Sequence, residues 1–98
     1  MRRFAKVDAN QKTIVAALRD AGVSVKQTHM VGQGFPDLAC GFRGKTYLLE
    51  VKDGSRPPSE RRLTPDEAAW FEEWRGHAEV VCCIADALAA VGVGGANE

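Results

Sequence analysis

Arg43 and Gly44 stand between two β-prone runs, Leu38-Ala39-Cys40 and Thr46-Tyr47-Leu48-Leu49-Glu50-Val51, and together they predict a β-hairpin with a two-residue turn. A turn of that length dictates the register, because residues equidistant from it must face each other across the strands. Asp37 and Glu50 are such a pair. Side chains alternate across a strand, so Asp37, Ala39 and Gly41 share a face with Thr46, Leu48, Glu50 and Lys52. Leu38, Cys40, Tyr47, Leu49 and Val51 take the opposite face.

Directly opposed side chains have Cβ atoms roughly 4.5–5.5 Å apart, where like charges repel. Two readings of the Asp37/Glu50 pair follow. A divalent cation held by carboxylate oxygens, Mg²⁺ or Mn²⁺, would offset the repulsion. In the other reading, Asp37 belongs to a Pro36-Asp37 turn, and Glu50 and Lys52 decorate a solvated strand face.

The rest of the chain bounds the choice. Its 98 residues suffice for a single domain with a modest core, spanning 1–98, with a basic arm over 1–7 (Arg2, Arg3, Lys6) and a flexible Gly-rich tail over 92–98. The formal charge is zero, so any nucleic-acid surface must come from local clustering. No run of membrane-spanning length and no signal-peptide core is visible, which predicts a cytoplasmic protein without a membrane partner. Cys40, Cys82 and Cys83 are odd in number and form no Cys-x-x-Cys pair, which argues against a disulfide framework and against a zinc site.

Asp8 as N-cap, Gln11 at N3 and the apolar spacing of Ile14, Val15, Leu18 and Ala21 predict a helix from Ala9 to Ala21, ended by Gly22. Val23 to Gln27 alternates as a strand, and Gly32-Gln33-Gly34 is the bend that delivers Asp37. Gly54, Ser55, Pro57 and Pro58 mark a loop from Asp53 to Leu63. Thr64-Pro65-Asp66-Glu67 then opens a capped helix carrying Ala68, Phe71 and Trp74 on one face and stopping at Gly76. Glu79 to Ile84 is expected as a buried strand, with Cys82 and Cys83 as small apolar residues within it, and Asp86 to Val91 as a last helix. The fold class is α/β: a mixed sheet flanked by helices in the order α-β-β-β-α-β-α.

The strings Gly32-Gln33-Gly34-Phe35-Pro36-Asp37-Leu38, Leu49-Glu50-Val51-Lys52-Asp53-Gly54 and Leu63-Thr64-Pro65 resemble the PD-(D/E)XK nuclease superfamily, and more narrowly the VRR-NUC group of small stand-alone, often phage-encoded nucleases. The resemblance runs from Asp8 to about Leu88 and implies a restriction-endonuclease-like αβββαβ core. It also implies hydrolysis of DNA phosphodiester bonds with Mg²⁺ or Mn²⁺. Matched residue by residue, Asp37 and Glu50 would be metal ligands, the Val51 backbone carbonyl would complete the inner shell, and Lys52 would orient or activate the attacking water.

The chain departs from that pattern at one place. The family's first helix usually supplies another acidic residue, whereas here the aligned stretch reads Asp8-Ala9-Asn10-Gln11. Asn10 is expected to face inward, where its amide oxygen would reach metal-bound water, while Gln11 is expected to serve the helix cap. DNA contacts are expected from Arg56, Arg61 and Arg62 on the loop after Glu50, with Gln33 and Ser55 as further polar contacts. No base-reading motif is present, which points to preference for a DNA structure rather than a sequence, and the resemblance implies branched or junction DNA. Cutting both strands needs two sites, hence a homodimer. Trp70 and Trp74, four apart on a helix, are expected to serve packing rather than base stacking.

Overall fold

The structure is a computed structural model that describes residues 9–94. Asp8, the basic arm and residues 95–98 lie outside the described residues. Helix α1 (Ala9–Asp20) is followed by strands β1 (Ser24–Gln27), β2 (Leu38–Phe42) and β3 (Lys45–Val51), helix α2 (Pro65–Glu73), strand β4 (Ala78–Val81) and helix α3 (Ile84–Ala90). A single 3₁₀ turn at Pro58–Glu60 interrupts the loop before α2.

The four strands form one mixed sheet in the order β1-β2-β3-β4, antiparallel through β3 and parallel between β3 and β4. The β2–β3 register pairs Leu38 with Leu49 and Phe42 with Lys45. Arg43 and Gly44 both take positive φ, 55° and 81°, as the two central residues of a turn that matches strand twist must. Glycine adopts that conformation without steric cost.

β2 buries alternate residues, Leu38 and Cys40, whereas β3 is buried at every position from Leu48 to Val51. Leu38, Cys40, Leu49 and Val51 join Val81 and pack against Ile14, Val15 and Leu18 of α1 and Ala87 of α3. Ile14, Leu18, Leu38, Leu49 and Ala87 are wholly excluded from solvent. Val91 and Val93 extend this core past α3, and residues 91–94 turn back through hydrogen bonds from Gly92 N–H to Ala89 and from Val93 N–H to Leu88. The described part of the Gly-rich stretch is therefore tied to the domain.

Three boundaries differ from the sequence reading. β4 ends at Val81 rather than Ile84, and Cys82 and Cys83 are not buried strand residues: Cys82 is half-buried and Cys83 exposed. The reason is local. The Asp86 carboxylate accepts the Cys82 N–H at 3.0 Å, and Cys83 Sγ accepts the Asp86 N–H at 3.5 Å, so Cys83 caps α3 and the chain leaves the sheet early. α3 accordingly starts at Ile84, two residues before Asp86. α2 stops at Glu73, where Trp74 turns to extended backbone (φ −74°, ψ 129°), short of Gly76.

Candidate active site

Two backbone devices deliver Asp37. Gly32, Gln33 and Gly34 take successive positive φ values of 86°, 58° and 81°, reversing the chain ahead of Phe35. Thr28 then clamps the far side of the turn: its N–H donates to the Asp37 carbonyl at 2.7 Å and its hydroxyl to the Pro36 carbonyl at 2.7 Å. Asp37 lies one step beyond the Leu38–Leu49 pair, opposite Glu50, and its Oδ2 accepts the Val51 N–H at 2.9 Å. The Val51 backbone thus faces Asp37 across the hairpin.

Glu50 is among the most buried polar residues, 3% exposed, and its Oε1 has no hydrogen-bond partner among the described residues. A buried carboxylate oxygen left unsatisfied is costly and calls for a cation or a proton. Burial first, then the neighbouring Glu67 and Asp37, push the Glu50 carboxyl up to about 9. Burial also raises Asp37, with the Val51 amide pulling the other way. Lys52 Nζ sits 3.6 Å from Glu50 Oε2 and 2.8 Å from Glu67 Oε1. Burial opposes the charge on Lys52, but the two carboxylates outweigh it and raise its pKa, so the side chain is an ammonium at neutral pH. Burial is likewise outweighed at Glu67, whose carboxyl is lowered by Lys52 and by the Thr64 N–H.

The structure therefore brings Asp37, Glu50, Val51 and Lys52 together, and adds Glu67. The sequence by itself marks Glu67 only as a helix-capping residue. The signal available in sequence was a carboxylate in the first turn of a helix that follows the Glu-x-Lys strand, but nothing local says which way that helix docks. It docks tightly at Gly34, where a Cβ would overlap the Asp66 carbonyl. Among the described residues, no three His, Cys, Asp or Glu side chains converge as a ready metal-ligand cluster.

The other candidates are placed as follows. Asn10 Nδ2 donates to the Lys52 carbonyl at 2.8 Å and the Cys82 carbonyl at 3.3 Å, so α1 stitches the ends of β3 and β4 together. Gln11 is buried and its amide donates to Gln27 Oε1 at 3.3 Å. Arg56 pairs with Glu60 at 3.0 Å and Asp53 at 3.8 Å beside a cleft of about 440 Å³ lined by Val51, Lys52, Asp53, Arg56 and Glu60. Ser55 is turned onto the Asp53 carboxylate, and Arg61 Nε donates to the Arg56 carbonyl. Arg62 and Gln33 are exposed. Trp70 and Trp74 stack on each other at 4.6 Å, and Phe35, two residues before Asp37, meets both edge-on.

A mixed sheet whose central hairpin opposes two carboxylates, Glu50 buried and Asp37 half-buried, beside a lysine is a restriction-endonuclease-like α/β architecture. Comparison with solved structures agrees: the chain is similar to a VRR-NUC domain, with 24% sequence identity and a TM-score of 0.61 over 83% of this chain and 88% of that one, and it shares that domain's fold. No protein-family model matches the sequence, and no curated protein does.

Proposed function

We propose that this protein is a Mg²⁺- or Mn²⁺-dependent endonuclease that hydrolyses DNA phosphodiester bonds, selective for branched or junction DNA rather than for sequence. The observation that carries the reading is the Asp37/Glu50 pair with its partnerless buried oxygen, Glu50 Oε1, beside the Lys52 ammonium. These residues fit a hard divalent cation, because two opposed carboxylates supply oxygen donors and negative charge that nothing else nearby fully balances. Asp37, Glu50 and the Val51 carbonyl would hold the ion. Such an ion, when bound, acidifies water and stabilises charge developing on a phosphoryl oxygen.

The chain's own groups then have distinct tasks. Lys52, as an ammonium, attracts the scissile phosphate and orients the attacking water by hydrogen bonding. Arg56, at the cleft next to Lys52, and the exposed Arg62 offer flanking phosphates sequence-independent, salt-sensitive contacts, with Arg61, Ser55 and Gln33 as secondary contributors. Asp53 and Glu60 partly neutralise Arg56, so its contribution is smaller than that of an unpaired arginine. A homodimer belongs to the proposal because one chain offers one such site.

The structural likeness to a VRR-NUC domain supports this reading at the level of fold. A second reading, a catalytically impaired DNA-binding module on the same scaffold, is favoured by one observation: Asn10 supplies no negative charge and its amide nitrogen is engaged by backbone. Incubating supercoiled plasmid and a four-way junction with the protein, with and without Mn²⁺, separates the two. Cutting that requires Mn²⁺ and disappears in Asp37→Ala and Lys52→Ala supports the nuclease. Binding of the junction without cutting supports the module. Sedimentation as a monomer at micromolar concentration would remove the dimer.

A further inference from the structure

Helix α2 begins with a capping box that carries a second function. Thr64 Oγ1 accepts the Glu67 N–H at 3.2 Å, and Glu67 Oε1 accepts the Thr64 N–H at 2.8 Å. The cap requires nothing more of Glu67 than that. The same Oε1 also accepts a hydrogen bond from Lys52 Nζ at 2.8 Å, across 15 residues of sequence. Glu50 Oε2, the other carboxylate oxygen near this ammonium, is 3.6 Å away, an ion-pair distance beyond direct hydrogen bonding. Lys52 is thus held by Glu67 and only approached by Glu50.

We propose that Glu67 is a positioning residue of the site: its carboxylate, anchored by the α2 cap, draws the Lys52 ammonium off Glu50 and leaves the Glu50 carboxylate open to a different cation. The chemistry requires such a residue. A lysine has four rotatable side-chain bonds, and beside a buried carboxylate with no other partner it closes onto that carboxylate and fills the place a divalent ion would take. Glu67 cannot follow Lys52, because Thr64 holds its oxygen from the other side. The anchor is itself set by Gly34, whose missing Cβ lets the first turn of α2 sit against the loop that delivers Asp37. The side chains of Lys52 and Glu67 are 15% and 18% exposed, so water competes weakly for this contact. Its consequence for turnover rests on the nuclease reading. The position of Lys52 does not.

The test uses two variants that each remove one half of the capping box, of which only one frees the lysine: Thr64→Ala loses Oγ1 but keeps the backbone N–H that holds Glu67 Oε1, whereas Glu67→Ala removes the carboxylate. Nitrogen-15 NMR of the lysine ammonium groups reads the position of Lys52 directly. A slowly exchanging Lys52 ammonium coupled to the Glu67 carboxylate in the wild-type chain, kept in Thr64→Ala and lost in Glu67→Ala, is expected. A rapidly exchanging Lys52 ammonium in the wild type overturns the proposal without any variant having to fold. With Mn²⁺ and plasmid, kcat should fall by about 10²-fold in Glu67→Ala with KM little changed, as for a misplaced catalytic group. Thr64→Ala should keep its kcat. An equal loss of kcat in both variants would assign the effect to the helix cap and overturn the proposal. If the wild-type chain cuts nothing, the nuclease reading falls while the NMR result still decides where Lys52 is held.

Discussion

Replacing Glu50 with glutamine should stabilise the metal-free protein, by an amount that depends on pH in a way few other substitutions would imitate. The Glu50 carboxyl titrates near 4.5 when unfolded and at about 9 in the folded chain, so the folded state binds a proton there that the unfolded state has released. The sign follows from linkage: a raised folded-state pKa means stability that is complete below pH 4.5 and is lost as pH rises toward 9. Each pH unit in that window costs about 1.4 kcal/mol, so at pH 7 the wild-type protein forfeits about 3 kcal/mol, and at pH 5 less than about 1 kcal/mol. Glutamine has nearly the same shape and no charge to bury. The attraction of Lys52 is already contained in the value of about 9, and in the variant Lys52 keeps its nearer partner Glu67 at 2.8 Å. Against a typical domain stability of about 5–15 kcal/mol, an increase of about 3 is readily measured. Urea denaturation of both proteins in chelator at pH 5 and pH 7 provides the assay. Under the proposed function, Mn²⁺ added afterwards should stabilise the wild type by binding the folded state and leave Glu50→Gln almost unmoved. A variant no more stable than wild type at pH 7, or one with the same advantage at both pH values, would refute the electrostatic account of this site.

Two further substitutions test the scaffold around the pair. Gly34→Ala forces an L-residue to φ 81° and drives its Cβ into the Asp66 carbonyl, so it should cost at least about 2 kcal/mol and lower the urea midpoint, and an unchanged midpoint would mean that α2 does not dock on this loop as described. Leu49→Ala empties a fully buried position between the strands and α1, and should cost about 2–5 kcal/mol in the same assay, whereas a loss below about 1 kcal/mol would show that the core closes around the gap.

The site was legible in sequence to the extent that it is local. Asp37 faces Glu50 because a two-residue turn leaves the strands no other register, and Lys52 follows because side chains alternate. The α2 cap was equally plain, since Thr64, Pro65 and Glu67 form a signature within four positions. Glu67 as the partner of Lys52 was hidden for the opposite reason. The contact depends on how α2 folds back over the loop containing Gly34, and pattern along a chain does not report docking between elements. Asn10 shows the same limit: helical periodicity pointed it inward, but only the assembled sheet shows that inward means the carbonyls of Lys52 and Cys82. Cys82 and Cys83 read as strand residues because their apolar character continues that of Val80 and Val81. The Asp86 carboxylate, four residues beyond Cys82, ends the strand by offering its backbone N–H another acceptor.

By itself the sequence determined the hairpin, its register, the face bearing two acids and an amine, and the order of helices and strands, all consequences of steric rules that act over a few residues. Tertiary structure alone decided which groups those acids and that amine meet. Burial of Glu50, the grip of Glu67 on Lys52 and the Asn10 stitch exist only once α1 has joined the sheet and α2 has docked on the Gly34 loop, because burial and long-range hydrogen bonds belong to the assembled molecule.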